Sequence, residues 1–217
     1  MKKKIEIMDT TLRDGEQTSG MSFSKHEKLT ISKLLIQELK VDRIEVASAR
    51  VSEGEFQAVK SIIEWARSNN FEKKVEILTF IDNGISIDWI KRAGAKVQNL
   101  LSKGSLNHLK YQLKKTPKQH FEDIQKILLK AKEIDVDTNV YLEDWSNGMK
   151  NSKNYVFDFI DFLSNQSVKR ILLPDTLGVL NPSESYDFIN EIVIKYPENH
   201  FDFHAHNDYD LSVANTL

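Results

Sequence analysis

Two short motifs near the ends of the chain carry the residue types best suited to metal chemistry. One apolar run leads into residues 9–17 (DTTLRDGEQ), and another leads into residues 203–208 (FHAHND). Both runs predict β-strands, on which residues two apart point to the same face, so His204 and His206 project together. Together with the carboxylate of Asp14 they form a ligand set for Zn, Mn, Fe or Co, with Mg possible given more oxygen and water. We therefore predict a metal site, provided that the two strand ends meet. The alternative is two histidines on a polar strand end.

Arg13 and Glu45 form a second candidate group. A guanidinium beside a metal binds a carboxylate or stabilises an oxygen that gains negative charge. Glu45 lies between Ile44 and Val46 in an apolar run, so we expect it to face the interior. A buried carboxylate requires a partner, and Arg13 is the expected one. The alternative is a pair with Arg43 or with a lysine.

Polar side chains also end two later apolar runs. Glu143 shares a predicted strand face with Tyr141 and is a candidate general acid or base. Thr176 is a candidate hydrogen-bond donor to a substrate carboxylate. Asp175 either joins that site or holds a neighbouring loop.

The remaining polar features have simpler interpretations. We predict a polar loop at residues 144–148, with Asp144 as a turn residue or helix cap. The basic stretch 110–118 reads as a solvated face, with the phosphates of a nucleotide carrier as the less favoured alternative. Four histidines outside the motifs are expected at the surface or in loops: His26, His108, His120 and His200.

Composition excludes several classes of protein. The 217 residues are 40% hydrophobic and 29% charged, with a formal net charge of -2, which is ordinary for a single globular domain. The sequence has no dense basic block, so nucleic acid is not an expected partner. It has no apolar run long enough to span a membrane. The basic run 1–4 is not followed by the apolar region of a signal peptide. The chain has no cysteine, which excludes disulfides and thiolate chemistry and agrees with a cytoplasmic enzyme.

The pattern along the chain alternates short β-rich runs with amphipathic helices. Strands are predicted near 5–9, 43–48, 75–81, 96–101, 138–143, 169–174 and 200–206, and helices near 25–39, 53–68, 85–93, 118–133, 153–164 and 183–195. Ser24 with Glu27, and Asn181 before Pro182, have the spacing of helix starts. Four helices are predicted to bury one stripe each: Ile31, Leu34, Leu35 and Leu39; Phe56, Val59, Ile63 and Ala66; Phe121, Ile124, Leu128 and Ala131; Tyr186, Ile189, Val193 and Tyr196.

Repeated βα units imply a parallel sheet covered by helices, either as an open doubly wound sheet or as a (β/α)8 TIM barrel. The open sheet usually carries a Gly-rich phosphate loop, which is absent, whereas polar residues follow strand after strand as on the rim of a barrel. We therefore predict one TIM-barrel domain over residues 1–217. Only seven strands are found, so we expect the chain to lack the eighth βα unit and to be a piece of a longer protein. Unpaired edges at strands 1 and 7 would make the piece marginally stable and largely inactive.

The motifs resemble those of the acyl-CoA-using, metal-dependent aldol-condensing barrels. That family includes 2-isopropylmalate, homocitrate and citramalate synthases and 3-hydroxy-3-methylglutaryl-CoA lyase. The matching segments occur in the same order along the chain: residues 9–17 (DTTLRDGEQ), 44–48 (IEVAS), 173–178 (LPDTLG) and 203–208 (FHAHND). Two further segments, 99–105 (NLLSKGS) and 140–148 (VYLEDWSNG), look most like citramalate synthase.

The resemblance implies a role for each matching residue. Asp14, His204 and His206 would bind a divalent metal (Mn, Mg or Zn), Arg13 and Thr176 would hold a 2-oxo acid, and Glu143 would take part in proton transfer. Leu78 and Leu101 would line the pocket for the 2-oxo acid side chain. A further metal-binding asparagine of the family lies beyond the last residue of this chain.

The implied function is condensation of acetyl-CoA with pyruvate to give citramalate, on a route to isoleucine, in an enzyme that forms a homodimer when complete. Within the family the alternatives are 2-isopropylmalate or homocitrate synthesis, or lyase-type cleavage. A metal-dependent hydrolase barrel is a rival, although such barrels usually carry the H-x-H pair after the first strand. An inactive barrel fragment is the last alternative.

Overall fold

The computed structural model describes residues 5–217, so the basic run 1–4 lies outside the described residues. The strands are β1 Met8–Asp9, β2 Arg43–Ser48, β3 Val75–Phe80, β4 Val97–Lys103, β5 Asp137–Glu143, β6 Arg170–Asp175 and β7 Phe201–Ala205. The helices are α1 Lys25–Lys33, α2 Glu53–Ser68, α3 Ile85–Ala93, α4 Leu106–His108, α5 Pro117–Glu133, α6 Trp145–Asn151, α7 Lys153–Ser164, α8 Pro182–Lys195 and α9 Ser212–Thr216. Strands and helices therefore alternate as predicted.

The strands form one seven-stranded sheet in the order β1 to β7. Neighbouring strands such as β1 and β2, or β6 and β7, pair in parallel. Parallel strands covered by helices are buried on both faces, which is why residues 43–47 of β2 are buried without alternation. Among the described residues, no helix has the length and apolar character needed to cross a membrane.

The chain divides into two compact units. The first holds the residues up to Asn99 together with Lys130–Asp137, and the second holds Leu100–Leu129 together with Thr138–Leu217. In the first unit, α2 packs on β2 through the stripe predicted from sequence: Phe56, Val59, Ile63 and Ala66 are all buried. The single-domain assignment stays a prediction.

The core of the second unit is aromatic. The ring of Phe121 on α5 stacks on Phe162 and Phe159 of α7, with centroids 4.8 and 4.9 Å apart. Trp145 is fully buried and meets the edges of Phe188 and Phe203. The predicted stripe on α5 is confirmed, since Ile124, Leu128 and Ala131 are buried and Phe121 is half-buried.

The predicted core stripe of α1 is wrong in part, since Ile31 and Leu35 are only half-buried. Leu34 and Leu39 are exposed, and the residues turned inward are Lys28, Ser32 and Ile36. The helix begins as predicted, with a capping box between Ser24 and Glu27, but a π-helical turn replaces the α-helix over Leu34–Glu38. Ion pairs to Lys28 hold a polar face of the helix inside, and Leu34 and Leu39 face solvent.

The stripe predicted on α8 is also wrong in part. Tyr186 and Val193 are exposed, whereas Ser185, Ile192 and Tyr196 are buried. The helix starts with the expected cap, in which Asn181 accepts a hydrogen bond from the Glu184 N–H. Two members of the predicted stripe are therefore correct, since Tyr196 is buried and Ile189 is half-buried, whereas Ser185 and Ile192 are buried in place of Tyr186 and Val193.

The predicted polar loop at residues 144–148 is instead the start of helix α6. Trp145 and Met149 are buried on it, and burial of these two large side chains favours a helix despite the turn-like Asn147-Gly148 sequence. The short helix α4 and the π-helical turn Leu109–Leu113 were also missed. The first strand is shorter than predicted, since only Met8 and Asp9 pair with β2.

Candidate active site

The loop after β1 is folded around one carbonyl. The backbone N–H groups of Arg13, Asp14 and Gly15 all donate to the carbonyl oxygen of Thr10, at 3.1, 2.8 and 3.2 Å. Asp9 accepts hydrogen bonds from the backbone and side chain of Thr11, which starts the turn. This compact turn fixes the direction in which Arg13 and Asp14 leave the strand end.

Arg13 pairs with Glu45, as predicted. The Arg13 Nε atom lies 2.5 Å from Glu45 Oε2, and its Nη1 atom lies 2.7 Å from Asp14 Oδ1. Glu45 is fully buried on β2 and also accepts a hydrogen bond from the Asn99 side chain at 2.7 Å. A buried carboxylate with a cation and an amide donor is well satisfied, and it holds the guanidinium in one orientation.

A second ion pair, between Arg43 on β2 and Glu76 on β3, lies near the pair of Arg13 and Glu45. Arg43 donates to Glu76 at 3.1 Å, and both side chains are buried. Burial raises the pKa of the Glu76 carboxyl, while the Arg43 guanidinium and Asn99 oppose that rise. A bulge shifts the register between Glu45 and Ala47, so that Glu45 stands opposite Glu76 and Ala47 opposite Ile77.

Lys28 on α1 anchors the loop that follows β1. Its ammonium is fully buried, lies 2.5 Å from both Glu16 and Glu55, and donates to the Leu12 carbonyl at 3.3 Å. Glu16 also accepts from the Phe23 N–H. Burial raises the pKa of Glu55, and the ion pair with Lys28 opposes it. The segment that carries Arg13 is thereby tied to α1 and α2.

A cavity of about 540 Å³ opens beside this loop within the first unit. Its lining includes Arg13 and Gln17 from the loop and Ser48 and Ser52 from the segment after β2. Leu78 is buried on β3 in the first unit, and Leu101 is half-buried on β4 in the second. Their common role in lining a substrate pocket stays a prediction.

The H-x-H pair at the end of β7 has the predicted geometry. The His204 and His206 rings are stacked, with centroids 4.9 Å apart and planes within 11°. The His206 N–H donates to the Asp175 carbonyl at 3.3 Å, and the Tyr141 ring lies edge-on to His204 at 6.4 Å. Two half-buried imidazoles on one side of a strand end fit a divalent cation by donor type. Asp14 belongs to the first unit, so its place in that ligand set stays a prediction.

Glu143 ends β5 in an ionic cluster. Its Oε2 atom forms an ion pair with the Lys103 ammonium at the end of β4, and its Oε1 atom lies 3.7 Å from His108 Nδ1. Lys103 was missed from the sequence, although its position two residues after Leu101, the end of the predicted strand, is a usable signal. The surface or loop assignment of His108 is wrong, because the side chain is only 14% exposed between two carboxylates.

Asp144 is buried beside this cluster. It stands at the start of α6 as expected, but its side chain does not cap the helix. Its Oδ2 atom accepts from the Ser105 hydroxyl at 2.6 Å, and its Oδ1 atom accepts from the Asn147 amide at 2.7 Å. Asp144 adopts a left-handed backbone with φ of 64°, which aspartate tolerates better than most residues.

Asp175 and Thr176 separate into two roles at the end of β6. Asp175 is fully buried and accepts hydrogen bonds from the backbone of Val179 and Leu180, so its loop-holding alternative is confirmed. The Thr176 hydroxyl oxygen accepts from the Asp144 N–H at 2.9 Å. That bond directs the hydroxyl hydrogen elsewhere, which suits the predicted donor role without testing it.

His120 was also expected at the surface and is instead fully buried on α5. Its Nε2 atom accepts from the Lys103 N–H at 3.3 Å, and its ring packs on the edge of Phe159. Burial lowers the pKa of His120 to about 4, with the nearby Lys115 adding to the effect. His26 and His200 are exposed, and the basic stretch 110–118 is mostly exposed, as predicted.

Residues 4–217 match the family described as HMGL-like. Among curated proteins, the chain is 32% identical to the 2-isopropylmalate synthase of Sulfurisphaera tokodaii, over 99% of this chain and 54% of that protein. It is 34% identical to the probable 2-isopropylmalate synthase of Ignicoccus hospitalis, over 99% of this chain and 52% of that protein. The chain thus spans about half the length of the curated relatives it matches.

Solved structures agree on the fold. The HMG-CoA lyase of Bacillus subtilis superposes with a TM-score of 0.79 at 18% identity, over 98% of this chain and 72% of that one. An HMG-CoA lyase from Acinetobacter baumannii, solved with coenzyme A and 3-methylmalate, gives 0.67 at 21% identity, over 97% and 69%. The barrel prediction is confirmed: residues 5–217 form seven parallel strands of a (β/α)8 barrel, without the eighth βα unit.

Proposed function

The chain belongs to the HMGL-like family, and we propose that it forms the catalytic barrel of an enzyme that condenses acetyl-CoA with a small 2-oxo acid. The observation that carries the proposal is the fixed guanidinium of Arg13, held by the buried carboxylate of Glu45 at a strand end. Such a rigid cation suits a substrate that carries a carboxylate and a ketone oxygen that gains charge.

The proposed enzyme uses a divalent cation, which Asp14, His204 and His206 would hold. The stacked imidazoles of the H-x-H pair support this by their donor chemistry and common direction. Bound there, the cation would supply Lewis acidity at the ketone oxygen of the 2-oxo acid. Mn, Mg and Zn all remain candidates.

The chain's own residues account for the other requirements of the reaction. Arg13 holds the 2-oxo acid and stabilises the oxygen on which negative charge develops, and Thr176 donates a hydrogen bond to the substrate carboxylate. Glu143 takes a proton from the acetyl methyl group, and the resulting carbon nucleophile attacks the ketone. Hydrolysis of the thioester then releases coenzyme A and makes the condensation irreversible.

Pyruvate is the proposed 2-oxo acid, which makes the product citramalate and the route that of isoleucine synthesis. The resemblance of the sequences of segments 99–105 and 140–148 to citramalate synthase supports pyruvate as the substrate. The bulky apolar side chains of Leu78 and Leu101 also support it, because they would leave room only for a small 2-oxo acid. The relatives named 2-isopropylmalate synthase support the second candidate, a 2-oxo acid with a branched side chain. Cleavage of an acyl-CoA and an inactive piece of a barrel stay as further alternatives. A homodimer and a cytoplasmic location stay predictions.

Thiol release from acetyl-CoA tests the proposal. The complete protein, supplied with Mn, is assayed with pyruvate and with 2-oxoisovalerate, and the product is identified by mass spectrometry. We expect pyruvate to be preferred by about 10- to 200-fold in kcat/KM, because one or two methylenes in an apolar pocket are worth about 1–3 kcal/mol. Preference for 2-oxoisovalerate would move the assignment to 2-isopropylmalate synthesis, and thiol release with neither acid would contradict condensation.

Metal content gives an independent test of the ligand set. His204→Ala and Asp14→Ala should each lose bound divalent metal and thiol release, because each removes one of three protein ligands. His200→Ala is the matched control, since His200 is exposed on the segment before β7. Elemental analysis that finds unchanged metal in both site variants refutes the assignment.

A further inference from the structure

Three consecutive residues, Lys103 at the end of β4 and the following Gly104 and Ser105, each contact Glu143 or Asp144 at the end of β5. The Lys103 ammonium forms an ion pair with the Glu143 carboxylate. The Gly104 N–H donates to the Glu143 carbonyl at 2.6 Å, and the Ser105 hydroxyl donates to the Asp144 carboxylate at 2.6 Å. The segment 103–105 therefore fixes both the backbone and the side chain of Glu143.

The backbone of Lys103 is itself held on both sides. Its N–H donates to the buried His120 ring at 3.3 Å, and its carbonyl accepts from the Tyr155 hydroxyl at 2.7 Å. Gly104 allows β4 and β5 to approach closely, because a Cβ there would lie 2.5 Å from the Leu142 carbonyl oxygen. Lys103 thus reaches Glu143 from a backbone that cannot shift without disrupting three other contacts.

His108 completes the surroundings of the carboxylate. Its Nδ1 atom lies 3.7 Å from Glu143 and its Nε2 atom 3.5 Å from Asp144, beyond ordinary hydrogen-bond length. The His108 N–H donates to the Ser105 hydroxyl oxygen, so the same segment also positions the ring. The ring lies nearest to Glu143 Oε1, whereas the Lys103 ammonium contacts Glu143 Oε2.

We propose that Lys103 is a positioning residue that aims the Glu143 carboxylate and balances its charge for removal of a proton from the acyl-CoA methyl group. This inference rests on the proposed function, because it takes Glu143 as the proton acceptor. A base must lie within hydrogen-bond reach of the proton it removes, and a misplacement of about 1 Å can cost about 10²-fold in rate. Lys103 acts through Glu143 and is not assigned any contact with substrate.

The test compares Lys103→Met and Lys103→Arg with wild type in the complete protein, using acetyl-CoA with a protiated or deuterated methyl group. We expect Lys103→Met to lower kcat by about 10²-fold, because Glu143 loses its fixed direction. KM for pyruvate should change by less than about twofold, since Lys103 contributes no uniform substrate binding. The deuterium isotope effect on kcat/KM for acetyl-CoA should increase, because removal of the methyl proton becomes slower relative to the other steps.

Lys103→Arg keeps the positive charge, so its kcat should be about tenfold higher than that of Lys103→Met. It should still show the increased isotope effect, because the planar guanidinium of arginine directs the Glu143 carboxylate differently. If Lys103→Met fails to fold, Lys103→Arg decides the matter. Lys126→Met is the control, because Lys126 is an exposed lysine paired with Asp123 on α5. It should keep the wild-type kcat and isotope effect.

The outcomes separate the two proposals. A wild-type protein that releases no thiol contradicts the proposed function itself. An active wild type, with an unchanged kcat and isotope effect in both folded lysine variants, overturns the role of Lys103 alone. A loss confined to KM for pyruvate would also overturn it, because that pattern belongs to a substrate-binding residue.

Discussion

The ion pairs of Lys28 and Glu45 in the first unit and the pair of Lys103 with Glu143 in the second differ in how far their charges are buried. In the first unit, Lys28 and Glu45 are completely buried, and each is bonded to partners from other segments. In the second unit, the side chains of Lys103 and Glu143 remain 12% and 21% exposed. Burial of a charge makes its partner obligatory, whereas partial exposure leaves room for a proton or a ligand to arrive.

The contrast suggests a division of labour. The buried charges of the first unit serve as fixed anchors for the loop that carries Arg13 and Asp14, so changes there should first reduce stability. The partly exposed cluster of the second unit contains the group proposed to exchange a proton, so changes there should first reduce rate. The following variants test that division, in order of decreasing expected effect.

Lys28→Met should give the largest loss. It removes the buried cation between Glu16 and Glu55, whose side chains are only 22% and 14% exposed, and the loss of both ion pairs costs about 3–5 kcal/mol of unfolding free energy. Urea denaturation of the purified protein measures the loss. The exposed Lys25 on the same helix supplies the control, and Lys25→Met should change stability by less than about 0.5 kcal/mol. Equal effects from the two lysines would contradict the anchoring role of buried Lys28 in the first unit.

Arg13→Lys should leave the fold intact and reduce activity. A lysine has one point of charge and cannot contact Glu45 and Asp14 while also holding a substrate oxygen. We expect kcat/KM to fall by about 10²–10³-fold, the size found for loss of one directed donor to a developing oxyanion. Arg50→Lys, at an exposed arginine paired with Asp82, is the matched control. Wild-type kcat/KM in Arg13→Lys would show that a charge alone is sufficient.

His120 should make the second unit sensitive to acid. Its pKa is lowered to about 4 by burial, so an unfolded chain binds a proton there at pH values where the folded chain does not. Stability from this residue is therefore present above pH of about 6.5 and is lost as the pH falls toward 4, by up to about 3 kcal/mol. His120→Gln retains an acceptor for the Lys103 N–H and should flatten the pH dependence of unfolding. The exposed His26→Gln should leave that dependence as in wild type.

Leu34→Ser should have the smallest effect. Leu34 was predicted to lie in the core and is 53% exposed, so the unfolding free energy should change by less than about 0.5 kcal/mol. Ile36→Ala, two residues away and buried, should lose about 2–5 kcal/mol. A large loss for Leu34→Ser would mean that the sequence pattern was correct and that this face is covered in solution.

Sequence alone was sufficient where periodicity and burial agree. The stripe of α2 is apolar, the run 43–48 carries Ile44, Val46 and Ala47, and the structure has both elements at the predicted residues. The sequence alone was insufficient for α1, where the ion pairs of Lys28 place a polar face of the helix inside. Nothing in the sequence near Lys28 reveals that Glu16 and Glu55 will meet it from two other segments.

The candidate site divides along the same line. The direction of the H-x-H pair follows from strand geometry and was predictable, and the Arg13–Glu45 pair followed from the need of a buried carboxylate. The pair of Lys103 with Glu143 depends on how β4 and β5 align at their ends, which no local pattern encodes. His120 was missed for a related reason, since the ring cluster that encloses it comes from α7.

The close contact of Gly104 with Gly148 in the middle of α6 also restricts how β4 can align with β5. A Cβ at Gly148 would lie 2.1 Å from the Gly104 carbonyl oxygen, and a Cβ at Gly104 would lie 2.5 Å from the Leu142 carbonyl oxygen, so neither position has room for a side chain. A slip of one residue along β4 would bring Lys103 or Ser105 to a place where no side chain fits. Misaligned pairings are therefore disfavoured by steric exclusion, independently of the ion pair between Lys103 and Glu143. The glycine pair acts as a template that selects which residue meets Glu143.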